Sequence, residues 1–359
     1  MAKTGEEIVT EQTYTFEDRG GRKVTLRPEM TPTIARMIAA RRRELAFPLR
    51  WYSIPNLFRY EQPQRGRLRE HYQLNVDLFG VKSLDADIEI IALAHTIMTS
   101  LGSKKEDFEI RINSRKLLQE NVLPKLKDKS LNSYAKALRI YDKLDKIPLS
   151  EFEAEWQKLS DQPFEKNIEP NQALNDLLNS LRKLGVENAV FYPTLVRGFD
   201  YYTDIVFEIF DTNKENRRAL FGGGRFDELL NIFNEESIPA VGFGMGDVAI
   251  RDFLETHNLL PKLDNPIDLY FCLTEDADST FINNLASQLR NSGINVSIDW
   301  TRKKLGDQIK SADKQQIKHV AIIGKEELET NVFNLKNLET GSEEKLTLPD
   351  LIIKLKSNN

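Results

Sequence analysis

The pattern of hydrophobic and polar positions divides the chain into stretches of different character. In residues 1–112, short alternating runs sit among helical ones. VTLRPEM predicts a short strand running into Thr31-Pro32, a helix-start pair, and TIARMIAARRREL carries apolar residues at helical spacing. LRWYSIPNLFRYEQ and REHYQLNVDLFGV predict two strands about the turn-like PQRGR. DADIEIIALAHTIMTSLG predicts a helix closed by Gly102, and DFEIRIN a further strand. Residues 113–190 lose the alternation: runs such as SLNSYAKALRIYDKL and NQALNDLLNSLRKLG predict a small helical insertion. Residues 191–263 return to strand. YTDIVFEIFD predicts a strand, GGGRFDELLNIF a glycine turn into a helix, and PAVGFGMGDVAIRDFLETHNLL a strand, glycine hinge and helix. Past the linker-like Asp264-Asn265-Pro266, residues 266–359 alternate strand and helix, the pattern of a small α/β domain with a largely parallel sheet. The expected division is therefore a core in two parts (1–112 and 191–263), an insertion and a C-terminal domain.

Two stretches carry more polar apparatus than a sheet needs. In the strand 69–79, His71, Gln73, Asn75 and Asp77 share one face, and Tyr72, Leu74, Val76 and Leu78 the other. Gln, Asn and Asp in series are poor strand formers, so this polar row points to a site, although a solvated sheet face gives the same pattern. Arg59 and Glu61 alternate with Phe58 and Tyr60, so pairing about PQRGR would put Arg59, Gln73 and Asp77 on one polar floor. Glu29 and Thr31 in LRPEMT suit an ammonium group, or equally a helix cap. In LVRGFDYYTD, Arg197 offers a planar fork for carboxylate or phosphate beside Gly198. Alternation would turn one of Tyr201 and Tyr202 to the core and the other to a site.

Composition narrows the classes. Hydrophobic residues make up 40% and charged residues 29%, which supports packed domains rather than disorder. The lone Cys272, inside LYFCL, leaves no disulfide or thiolate metal site and reads as a small buried residue in a reducing, cytoplasmic setting. No secretory leader is expected, and no apolar run approaches the roughly 18 residues of a membrane span. The net charge of −5 excludes a chain coated over by nucleic acid, but not local basic patches. One such patch is Arg302, Lys303, Lys304, Lys310 and Lys314, which is equally a solvated helix face. The glycine runs at 221–227 and 242–246 match neither a Walker loop nor a dinucleotide fingerprint.

LRPEMT, FRYEQPQRGRLREHYQLNVDLFG, LVRGFDYYTD, GGGRFD and PAVGFGMG together resemble, in order and rough spacing, the histidyl-tRNA synthetases. KLGDQIKSADKQQIKHVAIIGKEE resembles the anticodon-binding domain of that class. The resemblance covers nearly all of the chain except the insertion. It implies an α+β fold: a class II synthetase antiparallel sheet with flanking helices, a helical insertion and a C-terminal α/β anticodon-binding domain. It implies that histidine attacks the α-phosphate of ATP, with Mg2+ on the polyphosphate, and that the aminoacyl group then passes to tRNA(His), in a homodimer. By resemblance, Arg59 grips the α-phosphate and Arg197 reaches it, or the histidine carboxylate, from the other side. Glu29, Thr31 and Gln73 match positions holding the α-ammonium. Asp77 and Tyr202 match positions on the imidazole nitrogens, with Tyr201 in the same histidine-binding block. Glu61 and the loop 65–67 fall near ATP and the acceptor end of the tRNA.

The sequence departs from the family at two places. Family chains carry about fifty or more residues ahead of AKTGEEIVTEQTYTF, including the first class motif, so the chain as given is expected to be poorly active and monomeric or aggregating. The third class motif carries an adenine-stacking arginine where counting from Gly246 gives Ala249; Arg251 falls roughly 200° further round a helix. Two rivals follow: a non-catalytic histidine-sensing paralogue such as the regulatory subunit of ATP phosphoribosyltransferase, and an RNA-binding accessory protein using only the C-terminal domain.

Overall fold

In the computed structural model the chain divides into two compact units, Met1–Leu260 and Pro261–Asn359. The described residues are 12–62, 64–141, 143–144, 147–164, 168–196, 201–216, 218–261 and 265–357. In the first unit, β1 (Thr15–Glu17) and β2 (Lys23–Thr25) form a small antiparallel pair. An eight-stranded sheet follows: β3 (Leu49–Ser53), β4 (Asn56–Phe58), β5 (Glu70–Phe79), β6 (Phe108–Ser114), β7 (Ala189–Phe191), β8 (Ile205–Asp211), β9 (Ala219–Arg225) and β10 (Ala240–Gly246). Its order is β3-β5-β10-β9-β8-β6-β7, with β4 also on β5. Only β6 and β7 run parallel. The antiparallel sheet with flanking helices is thus present.

Local chemistry explains where the elements break. LRWYSIPNLFRYEQ forms two strands rather than one, because Pro55 has no N–H to give the ladder. The Pro55 carbonyl still accepts from the Gln73 N–H at 3.1 Å, so β5 runs past the interruption. Arg59 and Glu61 follow the end of β4, where the Arg59 N–H donates to the Arg69 carbonyl at 2.9 Å. GGGRFD corrects the expected glycine turn: Gly222, Gly223 and Gly224 lie within β9, and LLNIF is a short 3-10 turn, Leu229–Phe233. The glycines sit in mid-sheet because neighbouring groups occupy the space their side chains would need.

Helix Asp85–Ser100 covers one face of the sheet, with Ile90, Ile91, Ala94 and Met98 in the core. It is tied to the end of β9 by a buried ion pair. Arg225 donates to Asp87 and to the carbonyls of Val81 and Ser83, both at 3.1 Å, so the guanidinium is bonded on several sides. Such a pair holds two elements in register more than it adds net stability. In residues 113–190 the expected helices appear as Arg115–Val122, Leu131–Tyr141, Leu149–Leu159 and Gln172–Lys183. Ser114 and Asn171 cap the first and last by accepting from Leu117 N and Leu174 N. Tyr141, Phe152 and Trp156 from these helices and Phe164 from the connection after Leu159 pack edge to face.

The second unit is a five-stranded sheet in the order β12-β11-β13-β14-β15: β11 (Leu269–Leu273), β12 (Val296–Ile298), β13 (His319–Ile323), β14 (Val332–Asn337) and β15 (Glu343–Thr347). The first three are parallel and the last two antiparallel, so the sheet is mixed rather than largely parallel. β15 is a mostly exposed edge strand, EEKLT, too polar to leave a hydrophobic signal. Cys272 is fully buried on β11, and burial pushes its thiol up to about 12, as suits an inert core residue. Arg302 does not belong to the basic patch as expected. Its guanidinium turns inward to the carbonyls of Thr274 at 2.8 Å and Ala277 at 3.0 Å, while Lys303, Lys304, Lys310 and Lys314 stay exposed.

Candidate active site

The polar row of β5 faces inward. Asn75 and Asp77 are buried and His71 and Gln73 half-buried, whereas Tyr72 on the other face is 55% exposed. The reason lies in the neighbouring strand. Gly242 pairs with Asp77 and Gly246 with Gln73, with Gly244 between them. A Cβ on Gly242 would come within 2.6 Å of Asp77 Oδ1, and one on Gly244 within 2.9 Å of Gln73 Cδ. The glycines of β10 therefore leave room for the carboxylate and the amide to lie across the strand. The next strand repeats the device: Gly224 pairs with Gly242, and its absent Cβ would stand 2.9 Å from the Tyr202 ring. Asp77, two successive glycines and Tyr202 thus follow one another across the sheet, a side chain at each end and a flat floor between.

Behind this floor, the Tyr201 hydroxyl donates to Glu29 Oε1 and is also hydrogen-bonded to the Thr31 side chain. Thr31 opens helix Thr31–Arg41, which has no side-chain cap, so Glu29 is committed to the tyrosine rather than to capping. Tyr201 and Tyr202 are both buried, with ring centroids 4.9 Å apart. The strand begins only at Ile205, so strand alternation does not reach back to set which way each tyrosine points. Arg197 lies outside the described residues.

Electrostatics mark the same place. Burial, and then the Glu29 carboxylate, pushes Asp77 up to about 7. Burial, with Glu29 beside it, holds the Tyr201 phenol protonated well above its ordinary range. Arg59 donates from Nε to the Pro28 carbonyl at 2.9 Å. Burial pushes it below its ordinary value, opposed by Glu29, Glu61 and Tyr201; an arginine begins so high that it stays charged. Glu61 is buried and accepts from Arg67. His71 is pushed down by burial and then by the Arg59 charge, which favours the neutral imidazole.

A cleft of about 1120 Å³ opens beside the floor. It is lined by Arg59, Glu61, His71 and Gln73 from the β4–β5 side, by Gly244 and Gly246, and by Ala249 from helix Asp247–Thr256. Arg251 is exposed and does not line it. Arg111 and Arg218 do, though nothing in the sequence pattern singled them out. Arg111 lies over the rings of Tyr192 and Phe210 at 4.4 and 4.2 Å. The places of Gly224, Gly242 and Gly244 were also hidden, since their glycine runs were visible but the register that aims them was not. The arrangement suits a small planar group with polar atoms at both edges, next to a large polar cleft with cations for an anionic ligand. Among the described residues no group of three or more His, Cys, Asp or Glu is placed to hold a metal ion.

Comparison with known proteins gives a family for this geometry. Residues 1–248 match the family model described as histidyl-tRNA synthetase, and residues 271–358 the anticodon binding domain. The chain is 40% identical over 378 residues to the histidine--tRNA ligase of Leptospira biflexa, covering 99% of this chain and 86% of that one. Its fold is similar to the crystal structure of histidyl-tRNA synthetase from Nostoc sp. PCC 7120, with TM-score 0.77, 24% identity and 100% and 90% of the two chains covered. It is also similar to the apo histidyl-tRNA synthetase of S. aureus, with TM-score 0.70, 26% identity and 96% and 84% covered.

Proposed function

Because the chain belongs to the histidyl-tRNA synthetase family, we propose that it activates histidine with ATP as histidyl-adenylate and passes the histidyl group to tRNA(His). The observation that carries this reading is the row Asp77, Gly242, Gly224, Tyr202. A neutral imidazole has one N–H donor and one acceptor nitrogen, and a carboxylate facing a phenol satisfies both. Glu29, Thr31 and Gln73 receive the α-ammonium beside it, with Tyr201 holding Glu29 in place. A side chain without both polar edges leaves buried groups unpaired, which is how such a site rejects it.

Histidine bound in this way places its carboxylate toward the cleft. A carboxylate oxygen attacks the α-phosphorus, pyrophosphate leaves, and Arg59 and Arg197 hold the charge that gathers on the α-phosphate oxygens. The ribose hydroxyl of the tRNA then attacks the carbonyl, and AMP leaves. The cleft's size and cations fit ATP, and a Mg2+ brought in on the phosphates would find Glu208 and Glu215 among the carboxylates that line it. Its chemistry there would be charge neutralisation on the leaving pyrophosphate. The exposed Lys303, Lys304, Lys310 and Lys314 fit tRNA phosphates. The cytoplasmic location follows from the family reading alone; among the described residues no helix is long and apolar enough to cross a membrane.

Histidine-dependent exchange of labelled pyrophosphate into ATP tests the reading. Exchange that needs histidine supports it. Histidine binding with no exchange would instead favour the sensing paralogue. Asp77→Asn supplies a second test. It is expected to raise the KM for histidine about 100-fold, since a charge-assisted hydrogen bond is lost. The same change has the opposite sign on stability. The native Asp77 holds its proton up to about pH 7, the unfolded one only to about 3.8. Stability therefore falls as pH rises through that window, by up to about 4 kcal/mol. Asp77→Asn should accordingly melt higher than wild type at pH 8, with the gain vanishing toward pH 4; equal melting at pH 8 would contradict it.

The family reading also includes a homodimer. Tyr52, Ile54 and Tyr72 are exposed at 76%, 59% and 55% on or beside the edge strand β3 and its neighbour β5. Clustered exposed apolar groups on an open sheet edge suit a second copy. Light scattering should find a dimer that Tyr52→Glu disrupts, whereas a monomeric wild type would restore the expectation drawn from the sequence.

A further inference from the structure

The cations of the large cleft differ in how far they are already committed. Arg67 is paired with Glu61, and Arg65 sits 3.9 Å from Asp252 and 4.0 Å from Glu215. Arg111 donates to Glu109 at 2.7 Å and lies against two aromatic rings. Arg59 has Glu29 and Glu61 around it. Arg218 is different: it is exposed, it donates at 2.7 Å to the neutral amide oxygen of Gln64, and it pairs with no carboxylate among the described residues. One edge of its guanidinium is fixed across the cleft from the loop that carries Gln64.

Register says what this cation stands beside. β9 and β10 are antiparallel, and their last partners are Phe221 and Met245. Three residues back from Phe221 is Arg218, and three on from Met245 is Val248, so Arg218 leaves the sheet alongside Val248 and Ala249. All three line the cleft. Ala249 presents only a methyl there, and Arg251, on the same helix, points to solvent.

We propose that Arg218 stacks its guanidinium on the adenine of ATP, filling from the residue just ahead of β9 the place that Ala249 leaves empty on the helix. The proposal rests on the reading that ATP occupies this cleft. A planar, weakly hydrated cation held by one edge keeps its face for a base, which a lysine cannot imitate. Gln64 supplies that hold and keeps the plane from folding back onto the protein.

Calorimetric titration of the full chain with ATP and with inorganic tripolyphosphate tests it. Arg218→Ala should weaken ATP about tenfold and tripolyphosphate little. Arg218→Lys should recover less than half of that loss on a logarithmic scale, and Ala249→Arg in the Arg218→Ala background should restore ATP binding. An unchanged ATP affinity in Arg218→Ala, or an equal loss for both ligands, overturns the base-stacking role. ATP binding that depends on Arg218 in a protein without histidine-dependent exchange would sustain the inference while removing the proposed reaction.

Discussion

Histidine-dependent pyrophosphate exchange is expected to fall about 1,000-fold when Arg59 is replaced by alanine, chiefly in kcat. Arg59 lies at the junction of floor and cleft, where its charge meets Glu29, Glu61 and Tyr201 and its Nε is held by the Pro28 carbonyl. A cation fixed before the reaction needs no reorganisation as charge builds on the phosphate oxygens, and such groups act most strongly in the transition state. Removing it also leaves Glu29 and Glu61 facing an incoming polyphosphate with less to oppose their repulsion. Arg59→Lys keeps a charge but loses the fork, and should recover only part of the rate. Steady-state exchange at saturating histidine and ATP measures this. A drop confined to KM would mean that Arg59 binds ATP and its transition state equally, contrary to the role proposed for it.

Gly223→Ala is expected to prevent folding of the first unit, at a cost of more than about 5 kcal/mol. Its Cβ would stand 1.9 Å from the Gly242 carbonyl oxygen and 2.7 Å from Phe243 Cα, atoms of the paired backbone that cannot rotate away. On that face the rings of Phe207 and Phe243, both partners of Gly223 in register, approach to 6.3 Å across the missing side chain. Expression should yield insoluble protein, or circular dichroism should report lost strand. Gly306→Ala is the control, since a Cβ there meets nothing within 4 Å. In helix Leu305–Lys314 it should stabilise by about 0.5–1 kcal/mol. A soluble Gly223→Ala with wild-type melting would show that β9 and β10 can separate at little cost.

These two positions mark where sequence reading ends. The two-residue period of HYQLNVDL by itself put Gln73, Asn75 and Asp77 on one face, because alternation follows from the geometry of a single strand. The helices of residues 113–190 were equally legible, since a helix buries its own periodic stripe. The glycine runs were read as a turn and a hinge because local propensity sees only flexibility. In the sheet they are pairing partners of Asp77 and Gln73 and neighbours of Tyr202, and that meaning exists only once three strands lie in register.

The charged residues divide in the same way. Sequence fixes that Arg59, Arg218, Arg225 and Arg302 carry charge, since an arginine does so in any setting. Only the tertiary structure assigns each its partner. Arg225 is buried against Asp87, Arg302 is spent on carbonyls, Arg59 is set between carboxylates, and Arg218 is left to Gln64. The order of elements, the polar row of β5 and the family likeness are written along the chain, because each depends on residues near in sequence or on motifs read in order. Which face of that row is buried, what the glycines make room for, and which cation faces the cleft depend on contacts between residues as far apart as Gln64 and Arg218, and no local pattern encodes those.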